Sequence, residues 1–243
     1  MRIFDVKTYV EAKTFIKDKK LYTLMIDDFK KNKNLYEKSL IAVDPIIFTI
    51  SDKKLKIFLK KREKDPFKGK YELPGGLLLH DETAEQTMER KLKELLGDFK
   101  IFFMQFQSFT KPNRDPRERI ISIGFMALVN EESIEIKDSW FDVEKLPDLA
   151  FDHKEIITLA KNHLCQHLNL MVAKQFLPEY FPLNKLQEVH EVVGKRKYDN
   201  RNFRKKMIQS GCVEETDQIQ KGCSHRPSKL YKFKAEVHEI SCK

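Results

Sequence analysis

Read for the period of its apolar positions, the chain alternates between strand-like runs and helical stripes. Residues 39–50 and 55–61 read as strands joined by a Ser-Asp-Lys-Lys turn. Residues 99–109, 120–129 and 139–143 add further β segments. Between them, Ala84, Met88, Leu92, Leu95 and Leu96 recur at helical spacing, which predicts an amphipathic helix over 83–96. A helix over 151–168 closes this first unit, so the expected fold is an α/β sandwich around a mixed sheet. A different order begins at about Met171. Pro178 and Pro182 punctuate the entry, and Pro182 suits the first turn of a helix. The stripe Leu183, Leu186, Val189, Val192 and Val193 stops at Gly194, and Asp199 is placed to cap a second helix over 200–209, which Gly211 ends. Residues 213–215, a loop over 216–227 and a strand over 229–234 follow, with Tyr231 and Phe233 facing inward and Lys232 and Lys234 outward. Helix, short turn, basic helix and β-wing is the order of a winged helix-turn-helix. The expected divisions are 1–38, an N-terminal extension with one or two short helices; 39–170; and 171–243.

Charge sharpens the second unit. Residues 171–243 hold 15 Lys and Arg against 9 Asp and Glu, so two thirds of the net charge of +9 falls there, and a polyanionic partner is expected. The helix over 200–209 carries Arg201, Asn202, Arg204, Lys205 and Lys206, with Phe203 and Met207 as buried anchors. Lysines suit phosphates, while Arg and Asn have the donor geometry for base edges in the major groove of double-stranded DNA. Lys221, His225, Arg226 and Lys229 of the wing are available for flanking backbone or the minor groove. A solvated basic face is the alternative for the helix by itself. The sequence shows neither a membrane-length apolar run nor an export signal. Cys165, Cys212, Cys223 and Cys242 lack paired spacing, so reduced thiols and a cytoplasmic location are expected.

Candidate chemistry lies between Gly76 and Gly97. Residues 91, 94 and 95 project as one cluster from the predicted helix, where carboxylates would gather divalent cations against a diphosphate. Gly76, Glu82, Arg90, Leu92, Glu94 and Gly97 resemble the Nudix box in identity and spacing, but Lys91 and Leu95 stand where that pattern has two of its three closing carboxylates. Glu94 alone is the remaining candidate metal ligand, and Lys91 is positioned to pair with it. Glu82 and Arg90 read better as braces of the loop and helix than as catalytic groups.

The stretch from Phe176 to Phe233 resembles the C-terminal domain of NrtR-type regulators, through Leu-Pro-Glu-Tyr-Phe181, Leu186-Gln-Glu-Val189, Asp199-Asn-Arg-Asn-Phe-Arg-Lys205 and His225-Arg-Pro-Ser-Lys-Leu-Tyr231. The resemblance implies an α+β protein, a Nudix α/β/α sandwich with a mixed sheet followed by a small winged helix-turn-helix domain. It also implies a homodimer on a palindromic operator, with a nucleotide effector such as ADP-ribose, or a sugar, in the Nudix domain. Arg114, Arg117 and Arg119 lie in a turn before a strand that matches the family's Arg-Asp-Pro-Arg segment, and Arg62 matches another recurrent arginine of that family. Guanidinium forks suit diphosphates, although Asp115 and Glu118 could instead use the arginines to brace the turn.

Two function classes stay open besides the regulator. A nucleoside-diphosphate hydrolase would use Glu82, Glu94 and recruited carboxylates such as Glu85 or Glu89, with Mg or Mn; DNA binding requires no cofactor. A Nudix fold serving only protein interaction is the third. His163, Cys165 and His167, and Cys223 with His225, lack the spacing of a metal site.

Overall fold

In the computed structural model, the described residues are 23–24, 26–27, 38–97, 101–133, 139–220 and 227–234. Apart from helical residues 23–24 and 26–27, the helices expected over the first 38 residues lie outside them, as do Lys221, Cys223, His225 and Arg226 of the wing loop. Residues 1–39 form one unit and residues 40–243 a second, compact one.

The second unit is built on β1 (Leu40–Ser51), buried from Val43 onward. Its first residues pair antiparallel with β5 (Gly76–Leu77) and its last with β2 (Lys54–Phe58), both on one side. Its other side pairs in parallel with β7 (Ile120–Leu128) from end to end of that strand. With β6 (Phe102–Phe109) and β8 (Trp140–Asp142), the sheet runs β6-β7-β1-β2-β8, and β5 joins β1 off this path. The β1–β2 turn places both Asp52 and Lys53 at positive φ (52° and 59°), the geometry that matches the twist of a two-residue hairpin. Lys56 pairs back to Asp52 at 2.6 Å. The strand expected over 55–61 is split: β2 ends at Phe58, and β3 (Lys60–Lys61) pairs instead with β4 (Tyr71–Glu72), a two-residue strand too short to show a period.

Alternation along the strands divides the core. Val43, Ile47, Phe125 and Ala127 face α1 (Ala84–Leu96) through Met88, Leu92 and Leu96. Ile46, Phe48, Met126 and Leu128 face α2 (His153–Gln166) through Ile156, Ile157, Ala160 and Leu164. The helix expected over 151–168 is thus shorter. Phe151 interrupts it with φ 52°, and the short α3 (Leu170–Lys174), capped by Asn169, follows as a separate element.

The winged unit has its expected order: α4 (Leu183–Gly194), α5 (Asn200–Gln209), β9 (Val213–Ile219) and β10 (Lys229–Phe233). Asp199 caps α5, accepting from the Asn202 N–H at 2.9 Å. Three details differ from the expectation. Pro182 is the cap residue of α4 and not part of its first turn, Gly194 is its last residue and Lys195 takes the left-handed position, and β9 extends four residues into the expected loop because it pairs with β10. The apolar face of α2 continues without a break into Leu186, Val189 and Val193 of α4, Phe203 and Met207 of α5, and Tyr231, 2% exposed. One core therefore spans residue 170, where the sequence changes character.

His190 on α4 is 7% exposed, packs on Phe203 and Tyr198, and leaves its buried Nε2 without a hydrogen bond. Burial, aided by Lys206, pushes its pKa down to about 4 from 6.5. Because the folded value is depressed, stability is complete above the unfolded value and falls as pH drops from 6.5 to about 4. This one group accounts for about 3 kcal/mol by the lower limit. Buried His153, also shifted down, adds in the same direction. Urea unfolding at pH 7 and pH 4.5 is expected to show a smaller difference for His190→Leu than for the unmodified chain; equal differences would contradict the assignment.

Candidate functional site

The box between Gly76 and Gly97 folds as a loop held to a capped helix. Thr83 Oγ1 accepts from the Gln86 N–H, and Gln86 Oε1 accepts from the Thr83 N–H, a reciprocal capping box. Glu82 accepts from Arg90 Nε at 2.6 Å and Nη2 at 2.8 Å, and from Thr87 Oγ1 at 2.9 Å. The Arg90 hydrogen bonds pull its pKa down to about 2 despite the opposing effect of burial. Lys91 Nζ donates to Glu94 at 2.7 Å, and Arg90 Nη1 reaches the same carboxylate at 3.2 Å. Lys91 and, after it, Arg90 hold the Glu94 pKa below the ordinary carboxylate range. The Lys91 stem also occupies the space above Gly76, where an added Cβ would lie 2.4 Å from Cε. Leu95 packs against the core below α1. The two box carboxylates that remain are thus committed to cations of the same helix, and their surroundings do not fit a divalent metal. Among the described residues, no three His, Cys, Asp or Glu side chains gather as a metal site.

Three of the four arginines expected at an effector site meet at one cleft. A cleft of about 310 Å³ is lined by Arg62, Arg114 and Arg117, with Asp44, Gly75 and Phe151 among its other walls. A larger crevice, about 520 Å³, separates the β6 edge from the wing, and its lining contains no arginine. Arg62 donates to Glu72 at 2.6 Å and to the carbonyl of Pro66. Arg114, its side chain 5% exposed, grips Asp152 with two hydrogen bonds of 2.8 and 2.7 Å and lies 3.5 Å from Asp44. Burial opposes its charge, but the Asp152 and Asp44 carboxylates prevail and raise its pKa. Arg117 binds both oxygens of Asp115, which agrees with a bracing of the turn, yet it also lines the cleft. Arg119 is not part of the lining; its Nη1 is buried without a hydrogen bond.

Four residues of this site carry no sequence signal of their own. Asp44, 6% exposed on β1, accepts from Ser122 Oγ and fits only because position 75 is glycine: a Cβ there would lie 2.4 Å from Asp44 Oδ1. Phe151 presents its ring to the guanidinium carbons of Arg62 at 4.8 Å and Arg117 at 5.3 Å. Its φ of 52° is an expensive backbone state for an aromatic residue, and Ala150 and Tyr71 secure it by a backbone hydrogen bond of 2.8 Å. Asp152 follows, then His153, whose Nδ1 accepts from the Leu73 N–H at 2.9 Å. Burial lowers the His153 pKa, so the ring is a neutral brace of the Gly75–Gly76 loop.

On the winged unit, Arg201, Asn202 and Lys205 are exposed, on the side of α5 away from buried Phe203 and Met207. Ile208, apolar and without a signal of charge, is exposed on the same helix. Lys206 is exposed as well. Arg204 and Lys229 have intramolecular roles: Arg204 donates to Tyr231 Oη at 3.1 Å, that hydroxyl donates to Glu215 at 2.9 Å, and Lys229 pairs with Glu215. The chain of contacts ties the helix to the wing.

Residues 41–160 match the family model described as NUDIX domain, and residues 173–233 match the one described as NrtR DNA-binding winged helix domain. The chain is similar to the ADPR responsive transcriptional repressor NtrR of Acinetobacter baylyi, 31% identical over 86% of this chain and 88% of that protein. It is 39% identical to the ADP-ribose pyrophosphatase of Methanocaldococcus jannaschii over 54% of this chain and 77% of that one. The solved structure of Shewanella oneidensis NrtR complexed with a 27mer DNA matches with a TM-score of 0.71 and 31% identity, covering 80% of this chain and 93% of that one.

Arg114 neutralises two carboxylates in a nearly dry setting. Arg114→Ala is expected to lower the unfolding free energy by roughly 3–5 kcal/mol, since Asp44 and Asp152 would stay buried without their cation. Equilibrium urea denaturation measures this, and a loss under about 1 kcal/mol would show that the pair is not the brace described.

Proposed function

This chain belongs to the family that joins a Nudix domain to an NrtR-type winged helix, and on that premise we propose that it is a DNA-binding transcriptional regulator of the repressor kind, responsive to ADP-ribose. The observation that carries this reading is the combination, on one continuous core, of an arginine-lined cleft with an exposed Arg201–Asn202–Lys205 surface. Arg62 and Arg117, stacked on Phe151, are aimed at a diphosphate, and Arg114 stands behind them. Arg201 and Asn202 read base edges in the major groove; Lys205 and Lys206 neutralise phosphates. Arg204 and Lys229, through Tyr231 and Glu215, hold the wing beside this surface. The chain acts as a homodimer, whose two recognition helices take half-sites about 34–36 Å apart.

The winged surface is tested by fluorescence anisotropy with DNA from upstream of the protein's own gene. Arg201→Ala and Asn202→Ala are expected to cost about 1–3 kcal/mol each, and Lys205→Ala to reduce the salt slope by about 1. In calorimetry with ADP-ribose, Arg62→Ala is expected to weaken binding by about 1.5–3 kcal/mol. Unchanged affinities in both assays would remove the assignment.

The similarity to an ADP-ribose pyrophosphatase supports hydrolysis as a second reading. The box speaks against it, because Glu82 and Glu94 are held by Arg90 and Lys91, and Lys91 and Leu95 replace the other ligands. No AMP is expected from ADP-ribose with magnesium or manganese. Lys91→Glu combined with Leu95→Glu is expected to create manganese binding detectable by electron paramagnetic resonance. Steady AMP release by the unmodified chain would establish the enzyme instead.

A further inference from the structure

The geometry points to Asp152 as the group that the effector displaces from Arg114, and as the residue through which the cleft acts on the winged unit. This rests on the ADP-ribose reading above. Every cleft guanidinium already holds a carboxylate: Arg62 holds Glu72, Arg117 holds Asp115 and Arg114 holds Asp152. A ligand therefore binds Arg114 by exchange. Asp152 engages Nε and Nη2, the paired edge of the guanidinium, at 2.8 and 2.7 Å. A phosphate group can replace that carboxylate in charge and in paired geometry; a neutral sugar hydroxyl cannot. Asp44, fixed by Ser122 beneath Gly75, retains Arg114 in place while Asp152 leaves. The exchange thus selects diphosphate esters over neutral sugars.

The released carboxylate has a second use within reach. Asp152 occupies the cap position of α2, yet its side chain makes no capping hydrogen bond; its φ of −93° and ψ of 17° are not the extended values of a capping residue. The caps of α1, α3 and α5 show the alternative, with Thr83, Asn169 and Asp199 extended and bonded to the first turn. Once freed, Asp152 turns to that conformation and caps α2. The turn rotates the backbone next to Phe151, whose φ of 52° marks stored strain, so the two residues relax together. The motion is delivered along α2. Ile156, Ile157, Ala160 and Leu164 share their core with Leu186, Val189 and Val193 of α4, and Lys161 of α2 and Lys195 at the end of α4 both bind Glu144, at 3.3 and 2.9 Å. Asp152 is accordingly a positioning residue with two alternative partners, one for each ligand state.

Two substitutions separate its roles. Asp152→Asn removes the charge that competes for Arg114 but can still cap a helix, whereas Asp152→Ala removes both. Calorimetry with ADP-ribose and with inorganic pyrophosphate, paired with anisotropy on the upstream DNA with and without ADP-ribose, gives the readouts. Both variants are expected to bind the two ligands roughly tenfold more tightly than the unmodified chain. The change in DNA affinity caused by ADP-ribose is expected to persist in Asp152→Asn and to fall to about onefold in Asp152→Ala. Ligand affinity equal to that of the unmodified chain in both variants overturns the exchange, and a full DNA response in Asp152→Ala overturns the transmission. If the unmodified chain itself fails to bind ADP-ribose, the functional reading falls, and the exchange with it; that result is distinct from either of the other two.

Discussion

Asp44 is almost wholly withdrawn from solvent on the central strand, and a carboxylate in that position needs cationic and hydrogen-bonding partners inside the protein. Its surroundings follow from that need. Ser122 on the parallel neighbour β7 supplies a hydroxyl, and Arg114 supplies a guanidinium from the turn before that strand. Position 75 must be glycine for the loop to pass over it. Arg114 then requires a second anion, which Asp152 provides from the start of α2, and Phe151 accepts an unfavourable backbone angle next to it. The cleft is therefore a compensated ion network built outward from one buried charge.

The box shows a loop and helix held together by their own ion pairs. The capping box at Thr83 and the Glu82–Arg90 brace are structural: they hold the loop to the helix. Lys91 brings its cation on a side chain to Glu94, so the helix needs no ion to offset that carboxylate, and Leu95 adds to the core. Glu94, the last candidate ligand, is spent on charges one turn away.

How much of this the sequence disclosed depended on the range of the interactions involved. Periodic segments long enough to repeat their pattern, such as α1, α4, α5, β1 and β7, were legible, as were the caps at Thr83 and Asp199, which are local signals. The two-residue strands were too short to register, and the end of β9 is set by a partner ten residues away, so a local pattern does not fix it. In the cleft, Arg62, Arg114 and Arg117 could be anticipated from residue type and a family likeness. Asp44, Phe151, Asp152 and His153 could not, because their roles arise from contacts between β1, the Gly75 loop and the start of α2. Arg119 and Arg204 show the converse: Arg119 buries its Nη1 away from the cleft, and Arg204, though exposed, is engaged by Tyr231, and charge alone reveals neither.

The uninterrupted apolar seam beneath α2 has a consequence for how such a chain can diverge. Two modules joined by a solvated linker can be exchanged freely, since neither side reads the other's surface. Here Leu164 and its neighbours are packing partners of Val189 and Val193, so a change of volume on one side is felt on the other. The two units are bound to drift in step. A transplanted winged helix would arrive with the wrong counterpart for its own floor, and the shared seam makes the pair a single heritable part.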